Sequence, residues 1–214
     1  AIDAQLKRFG LPGHAMAVPD APGAFQVRYE LTGHPKISVL IPSKDHIDDL
    51  DRCLTSLYKN AGYDNFEVIV IENNSTDPAT FAYYETLPSR FADCRVVYYK
   101  GAFNFSAINN FGATFAEGEH LLLLNNDTEV EDDTLHYLCE TLAGNPAIGA
   151  VCPKIRFFAP PRHIQFAGYT PLTHVTLRNA LIGFGMPDDG SFDTPRDTPY
   201  AHGAAMMVRR EVPR

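Results

Sequence analysis

Hydrophobic and polar residues alternate along the chain in blocks that predict strands and helices in turn. Apolar runs, many of them β-branched, predict buried strands at residues 37–41, 66–71, 95–99 and 119–124. Apolar residues at helical spacing predict helices after each strand, at residues 50–62, 78–87, 108–118 and 133–144. This order is typical of βαβ units, so the sequence predicts an α/β fold with a mostly parallel central sheet.

The two ends of the chain show weaker patterns. In the N-terminal part, prolines and glycines interrupt the periodicity, and only a short helix at 3–9 and an extended stretch at 25–31 are predicted. After Pro153 the pattern loosens into loops, with short strands expected at 155–158, 164–169 and 204–208. We therefore expect a lead-in or linker at residues 1–34 and one domain at residues 35–214.

The composition excludes several classes of protein. With 214 residues, of which 45% are hydrophobic, the chain is long enough to bury a full core. Its formal net charge of −8 argues against a general nucleic-acid binder, which usually carries a basic face. The four cysteines show no CxxC spacing, so we expect reduced thiols rather than a zinc site. There is no signal-peptide core and no run of 18 apolar residues, which predicts a soluble, cytoplasmic chain.

Polar clusters follow three of the predicted parallel strands, at Pro42–Asp45, Glu72–Asp77 and Asn125–Glu129. Because the carboxyl ends of parallel strands lie on the same edge of a sheet, where ligands usually bind, these clusters are expected to form one site. The same residue types also make good turns and helix caps, so any one cluster alone is weak evidence for a site.

The third cluster contains the best candidate for a metal ligand. Four leucines lead into Asn125, Asn126 and Asp127, and a carboxylate just past a buried strand lies where a ligand can reach it. Carboxylate and amide oxygens suit a hard cation such as Mg²⁺ or Mn²⁺. The glycine-rich motifs of dinucleotide-binding and P-loop enzymes are missing, as is the G-x-S-x-G elbow of α/β-hydrolases, so those classes are disfavoured.

These motifs, in this order, resemble a known family. PKISVLIPSKD, CLTSL, FEVIVIENNSTD and FNFSAINNFGATFAEGEHLLLLNNDTEV together are similar to the inverting family 2 glycosyltransferases, which have the GT-A fold. FQVRYELTGHPKISV and IQFAGY resemble the branch that builds bacterial O-antigen and other polysaccharides. The resemblance covers residues 25–212 and implies a Rossmann-like, three-layer α/β/α domain that binds a nucleotide-diphospho-sugar.

The resemblance also implies which residues bind the donor. Pro42, Ser43, Lys44 and Asp45 match the loop that holds the nucleotide base and ribose. Glu72 stands where the family usually has an aspartate that hydrogen-bonds the base, which favours a uridine or thymidine donor and leaves guanosine open.

Four asparagines and one aspartate extend that set. By resemblance, Asn74 supports the loop at Glu72 or serves only the turn, and Asn104 is at a position that contacts the diphosphate in some relatives. Asn125, Asn126 and Asp127 align with the family's Asp-x-Asp, whose first aspartate is replaced here by asparagine. Asp127 is thus the one strong metal ligand expected, and metal binding should be weak until the diphosphate adds its own oxygens.

The later loops are expected to face the acceptor, a glycan or a lipid-linked saccharide. They contain His163, His174 and His202, whose roles the sequence leaves open. Phe166 stands where the family often has a histidine, which removes one candidate. Gly203 is expected to allow a close approach of the backbone.

An inverting transferase needs a carboxylate that takes the proton from the acceptor hydroxyl. The family carries it on an acidic motif beyond the strand that ends here at Arg209–Arg210. We therefore expect the base beyond Arg214, in a domain that is incomplete at its C-terminus, and little transfer by residues 1–214 alone. Further domains of the same polypeptide are compatible with this reading.

The predicted function is the inverting transfer of a hexose or deoxyhexose in surface polysaccharide synthesis, in the cytoplasm or at the inner face of the membrane. One alternative is a non-catalytic module that binds a nucleotide sugar or a glycan within a larger protein. The replaced aspartate and the missing acidic motif favour that alternative. A nucleotidyltransferase is less favoured, because the basic Gly-rich loop after the first strand is absent.

Overall fold

The computed structural model describes residues 2–10, 13–18, 22–29, 33–159, 161–173 and 177–210. Its elements are, in chain order, α1 (Ile2–Arg8), β1 (Gly13–Ala17), β2 (Phe25–Tyr29), β3 (Ile37–Ser43), α2 (Ile47–Asn60), β4 (Phe66–Glu72), α3 (Pro78–Arg90), β5 (Cys94–Tyr98), α4 (Phe105–Ala113), β6 (His120–Leu124), α5 (Thr134–Gly144), β7 (Ala150–Val151), β8 (Ile155–Arg156), β9 (Ile164–Phe166) and β10 (Ala205–Arg209). Among these described residues, no helix is both long enough and apolar enough to cross a lipid bilayer.

Six strands form the central sheet, in the order β5-β4-β3-β6-β10-β7. The first four strands run parallel to one another, β10 is antiparallel to β6, and β7 is antiparallel to β10. The parallel strands are the four that the apolar runs predict. Because β3 lies between β4 and β6, the loops that follow these three strands lie side by side at the carboxyl edge of the sheet.

Helices cover both faces of this sheet. On one face, α2, α3 and α5 bury their apolar side chains against alternate residues of the strands and form the larger core. On the other face, α4 packs Ile108 against Leu40, Ile69 and Ile71. The result is the predicted three-layer α/β/α arrangement, and its apolar contacts supply most of the driving force for folding.

The N-terminal part forms a helix and a hairpin. The predicted short helix is present as α1, and the predicted extended stretch is present as β2 as far as Tyr29, beyond which residues 30–32 lie outside the described chain. β2 pairs antiparallel with β1, which the sequence pattern does not predict. The backbone N–H of Ala15 in β1 donates to the Asp3 carboxylate of α1 over 2.7 Å. This segment therefore has regular structure of its own.

Some predicted details are wrong. The leucine run of β6 is predicted to be a buried strand. Leu122 and Leu124 are buried, but Leu121 and Leu123 are only half-buried, because α4 covers the second face of the sheet incompletely. α4 ends at Ala113, five residues before the glycine expected to close it. At the start of α5, Asp133 occupies the capping position, but its side chain makes no capping hydrogen bond.

Gly118 has a packing role instead, just before β6. An added Cβ would lie 2.6 Å from the backbone nitrogen of Ser38 and 2.7 Å from the carbonyl oxygen of Lys36. The Gly118 N–H also donates to Ser38 Oγ, which in turn donates to the fully buried Glu67 carboxylate. Because the crowding atoms belong to the backbone, they have little freedom to move away.

We expect Gly118→Ala to lower the free energy of unfolding by about 1–3 kcal/mol, the usual cost of overpacking. Urea denaturation followed by circular dichroism measures this. Gly144→Ala is the matched control, because no atom lies within 4 Å of a Cβ added at the end of α5. A neutral or stabilising effect is expected there. Equal effects of the two substitutions would contradict the packing role of Gly118.

Candidate functional site

The loops after β3 and β4 are locked together by the Asp45 carboxylate. It accepts hydrogen bonds from the backbone N–H groups of Thr76 and Asp77, each 3.0 Å from Oδ1, and from Thr80 Oγ1 at 3.2 Å. The N–H of Asp77, followed by that of Thr76, holds the pKa of the Asp45 carboxyl below its usual range. The loops after β3 and β4, two of the three predicted to form the site, are therefore held to each other by direct hydrogen bonds.

Removing this carboxylate should release the second loop. In Asp45→Ala, the amides of Thr76 and Asp77 lose their acceptor, so we expect their hydrogen exchange to accelerate about tenfold or more. Because folding lowers the pKa of Asp45, its stabilising effect is present above the unfolded value of 3.8 and is lost as pH falls through the folded value. Exposed Asp48 on α2 provides the control substitution, Asp48→Ala, which should leave these amides unchanged.

The Glu72 carboxylate lies beneath these loops and is only 3% exposed. It accepts hydrogen bonds from both the backbone N–H and the hydroxyl of Ser75, and from the Tyr84 hydroxyl at 2.8 Å. Tyr84 Oη also lies 3.3 Å from the buried hydroxyl of Ser43. Internal donors therefore engage both oxygens of the residue that the resemblance assigns to the nucleotide base.

The predicted asparagines of this edge make hydrogen bonds typical of turns and caps. The side-chain amides of Asn73 and Asn74 both donate to the Gly101 carbonyl, at 2.9 and 2.8 Å. Asn104 caps α4, and its Oδ1 accepts from Ala107 N–H at 3.0 Å. These contacts join the loop after β4 to the segment that leads into α4. Asn74 and Asn104 are exposed and remain accessible to a ligand.

The loop after β6, which carries Asp127, is anchored on α2. Ser56 Oγ accepts from Val130 N–H at 2.9 Å, and Asn60 Nδ2 donates to the Val130 carbonyl at 2.8 Å. At the start of the loop, the Asn125 carbonyl accepts from Thr128 Oγ1 at 2.6 Å and lies 3.6 Å from Cys53 Sγ. Burial raises the pKa of that thiol to about 12, so it stays protonated at neutral pH. Asp127 is exposed, and the loop that carries it is anchored to α2 by these hydrogen bonds.

Asp127 lines a cleft with a volume of about 440 Å³. One wall is the loop after β6, including Asn125 and Glu129, and the other is the β8–β9 hairpin with Gln165. Pro153, Ile155, Phe157, Phe158 and Ala205 add apolar surface to the lining. Ser43 and Glu72 do not line this cleft, and neither do exposed Lys44, Asn74 and Asn104.

Cations from the hairpin line the cleft, each beside a carboxylate. Arg156 pairs with Glu131 and lies 3.4 Å from Asp188, and Lys154 lies 2.6 Å from Asp188. Burial opposes the charge on Lys154, but hydrogen bonds to Asp188 and Asp193 outweigh it and raise the pKa of the ammonium group. The positive charges are thus largely compensated, and the ion pairs tie the hairpin to loops on both sides of it.

The three histidines left open by the sequence fall in different places. His202 lines the cleft, and burial lowers the pKa of its ring. His163 lies at the start of β9, where its carbonyl accepts from Phe157 N–H at 2.9 Å. His174 lies outside the described residues. The close approach expected at Gly203 is not found, because an added Cβ would meet only Phe105 Cζ, at the ordinary contact distance of 4.0 Å.

The residues around Asp127 fit a hard cation only in part. The described residues contain no group of three or more histidine, cysteine, aspartate or glutamate side chains placed to hold an ion. Asp127 supplies one exposed carboxylate, with the Asn125 amide two residues before it. Mg²⁺ is commonly held by one or two carboxylates, waters and the phosphates of its substrate, so this edge fits a cation that arrives with a diphosphate.

Similar proteins share both the sequence and the fold. The model of glycosyl transferase family 2 matches residues 38–213. The O-antigen biosynthesis protein RfbC of Myxococcus xanthus is 36% identical over an alignment of 226 positions. That alignment covers 99% of this chain and 16% of that protein. The uncharacterized protein y4gI of Sinorhizobium fredii is 32% identical over 169 residues, covering 78% and 18% respectively. The crystal structure of S. aureus TarS 1-349 has a TM-score of 0.51 and 21% identity over 66% of this chain and 42% of that one.

A mostly parallel sheet between helices, with its polar loops and cleft at the carboxyl edge, places the chain in the GT-A class of α/β proteins. The match over residues 38–213 then gives the family: the chain belongs to glycosyl transferase family 2. The predicted family and fold class are confirmed. The chain spans less than one fifth of the length of either curated relative.

The sequence patterns do not predict that residues of the β8–β9 hairpin line the cleft. Lys154, Arg156, Arg162 and Gln165 lie in or beside strands of two or three residues, which are too short to show a period. The one available signal is the run PKIRFF, where basic and apolar residues alternate after β7. That pattern predicts a strand and gives no indication of a ligand.

Proposed function

We propose that the chain is the donor-binding part of an enzyme that transfers a sugar, with inversion, from a nucleotide-diphospho-sugar to a saccharide acceptor, and that the donor binds at the carboxyl edge of the sheet. The observation that carries this proposal is the exposed Asp127 carboxylate, which lines the cleft on a loop that is hydrogen-bonded to α2. Family membership supports a glycosyl donor, and the RfbC relative supports polysaccharide synthesis as the setting. The acceptor proposed is a glycan or a lipid-linked saccharide.

In this proposal, different loops bind different parts of the donor. The loops joined by Asp45 bind the nucleoside, and Asp127 with Asn125 would hold Mg²⁺ or Mn²⁺ when the diphosphate is bound. The cation supplies charge neutralisation for the departing diphosphate. The apolar and polar lining of the cleft binds the sugar and excludes part of the water around it.

A thermal-shift panel tests donor binding. UDP, dTDP, GDP and the sugars UDP-glucose, dTDP-glucose and GDP-mannose are each added with Mn²⁺ or with EDTA. A ligand at 100 times its dissociation constant stabilises the fold by about 2.7 kcal/mol, which for a chain of this size raises Tm by about 5–10 °C. We expect at least one nucleotide to do so, and only with Mn²⁺. No shift with any of them would overturn the proposal.

The alternative of a non-catalytic module is tested by turnover. The 214-residue chain is expected to bind donor, and its own rate of sugar transfer decides whether it also carries a catalytic base. Glu129 and Glu131 both line the cleft and are exposed, but Glu131 is paired with Arg156. Robust turnover that Glu129→Gln abolishes would assign the base to Glu129 and remove the binding-module alternative.

A further inference from the structure

The register between β6 and β10 brings His202 and Asp127 to the same end of the sheet. The two strands pair Leu124 with Ala205, and Asn125 N–H donates to the Ala204 carbonyl at 2.9 Å, one residue beyond that pair. Asp127 lies two residues after Asn125, and His202 lies two residues before Ala204, in the two segments that extend from this contact. Both side chains line the same cleft.

Two contacts fix the orientation of the His202 ring. Its Nδ1 accepts a hydrogen bond from Ala204 N–H at 3.2 Å, and the ring packs against buried Phe166 with their centroids 5.0 Å apart. A nitrogen that accepts a hydrogen bond carries no proton, so the proton of this neutral ring is on Nε2. Nε2 therefore presents an N–H donor, and its lone pair is not available to coordinate a cation.

The lining of the cleft indicates which kind of ligand group the Nε2–H of His202 would contact. The cations on the hairpin are already beside Glu131, Asp188 and Asp193, so the cleft has little uncompensated positive charge to attract a further anion. Phe157, Phe158 and Gln165 instead provide the aromatic and hydrogen-bonding surface that suits a polyhydroxylated ring. A sugar joined to a diphosphate at Asp127 would enter this space.

We propose that His202 Nε2–H donates a hydrogen bond to a hydroxyl oxygen of the donor sugar and so contributes to the choice of sugar. This inference rests on the proposed function, since it takes the diphosphate to be held at Asp127. Phe166 positions the ring, and the Ala204 N–H holds it in the tautomer that donates.

Isothermal titration calorimetry of two variants in the presence of Mn²⁺ tests the assignment. His202→Phe keeps an aromatic ring against Phe166 but has no donor, whereas His202→Gln keeps an N–H of similar reach. The titrants are UDP-glucose, dTDP-glucose and GDP-mannose, each compared with its own nucleoside diphosphate. For the sugar that wild type binds best, His202→Phe should lose about tenfold in affinity, the usual effect of one hydrogen bond. Its affinity for the matching diphosphate should be unchanged, and His202→Gln should recover most of the loss.

Other outcomes overturn the inference in distinguishable ways. An equal loss for the sugar and its diphosphate would place His202 on the diphosphate, and no loss for either would remove it from the donor site. Wild type that binds no nucleotide at all would overturn the proposed function itself. Circular dichroism and thermal melting check folding, and His202→Leu serves as a second variant without a donor if His202→Phe does not fold.

Discussion

Replacing Asp127 by asparagine is expected to remove most of the cation-dependent affinity for a nucleotide sugar. Asp127 is exposed at the cleft, and the described residues offer no cluster of ligands that would replace it. Because asparagine has nearly the same shape, the loop held by Ser56 and Asn60 should keep its conformation. The loss of the negative ligand should weaken binding with Mn²⁺ about 100-fold, or about 2.8 kcal/mol, and should leave the weaker binding in EDTA unchanged. Calorimetry with and without Mn²⁺ measures both quantities.

Two further variants make this prediction specific. Asp132→Asn removes the same charge from an exposed position five residues further along the chain and should have little effect. Asn125→Asp restores the second carboxylate of the family's Asp-x-Asp and should strengthen binding with Mn²⁺ about tenfold, because a second anionic oxygen joins the site. A cation dependence that survives in Asp127→Asn would remove the metal assignment.

Glu72→Ala should have the largest effect on stability among the predicted site residues. The substitution removes a nearly buried carboxylate and leaves the Ser75 N–H and hydroxyl and the Tyr84 hydroxyl without their acceptor. Leaving buried donors unpaired costs about 1–3 kcal/mol for each group. We expect unfolding to become about 3 kcal/mol easier and Tm to fall by about 6–12 °C. Urea denaturation and a thermal melt measure the two changes.

Tyr84→Phe separates this structural role from a contact with the nucleotide base. It removes only one of the three donors, so a loss of about 1 kcal/mol is expected, with nucleotide affinity unchanged. If Glu72→Ala instead melts like wild type and loses affinity for UDP or dTDP but not for GDP, Glu72 contacts the base, as the family resemblance implies.

The sequence predicts the four parallel strands of the sheet because the signals for them are local. Each of β3, β4, β5 and β6 contains a short, mostly apolar run that polar residues follow, and the alternation with helices implies parallel pairing. Once the strands are parallel, the meeting of the loops after β3, β4 and β6 follows from the geometry of the sheet. The role of Glu72 does not follow in the same way, because Tyr84 reaches it from α3, twelve residues further along the chain.

The hairpin side of the cleft depends on interactions between distant parts of the chain. β8 and β9 are two and three residues long, and Lys154 is held by Asp188, 34 residues away. The position of His202 depends on the antiparallel pairing of β10 with β6, which a single apolar run cannot reveal. The sequence alone therefore does not predict that these residues line the cleft, and the three-dimensional structure is needed to identify them.

A crystal structure with Mn²⁺ and the nucleoside diphosphate that the thermal-shift panel selects tests the central claim most directly. Anomalous scattering locates the manganese independently of the protein. We predict one ion that contacts both the Asp127 carboxylate and an oxygen of the diphosphate, with the nucleoside directed towards the loops joined by Asp45. A nucleotide bound elsewhere, for example along the outer surface of α2, or a bound diphosphate with no ion at Asp127, would contradict the account.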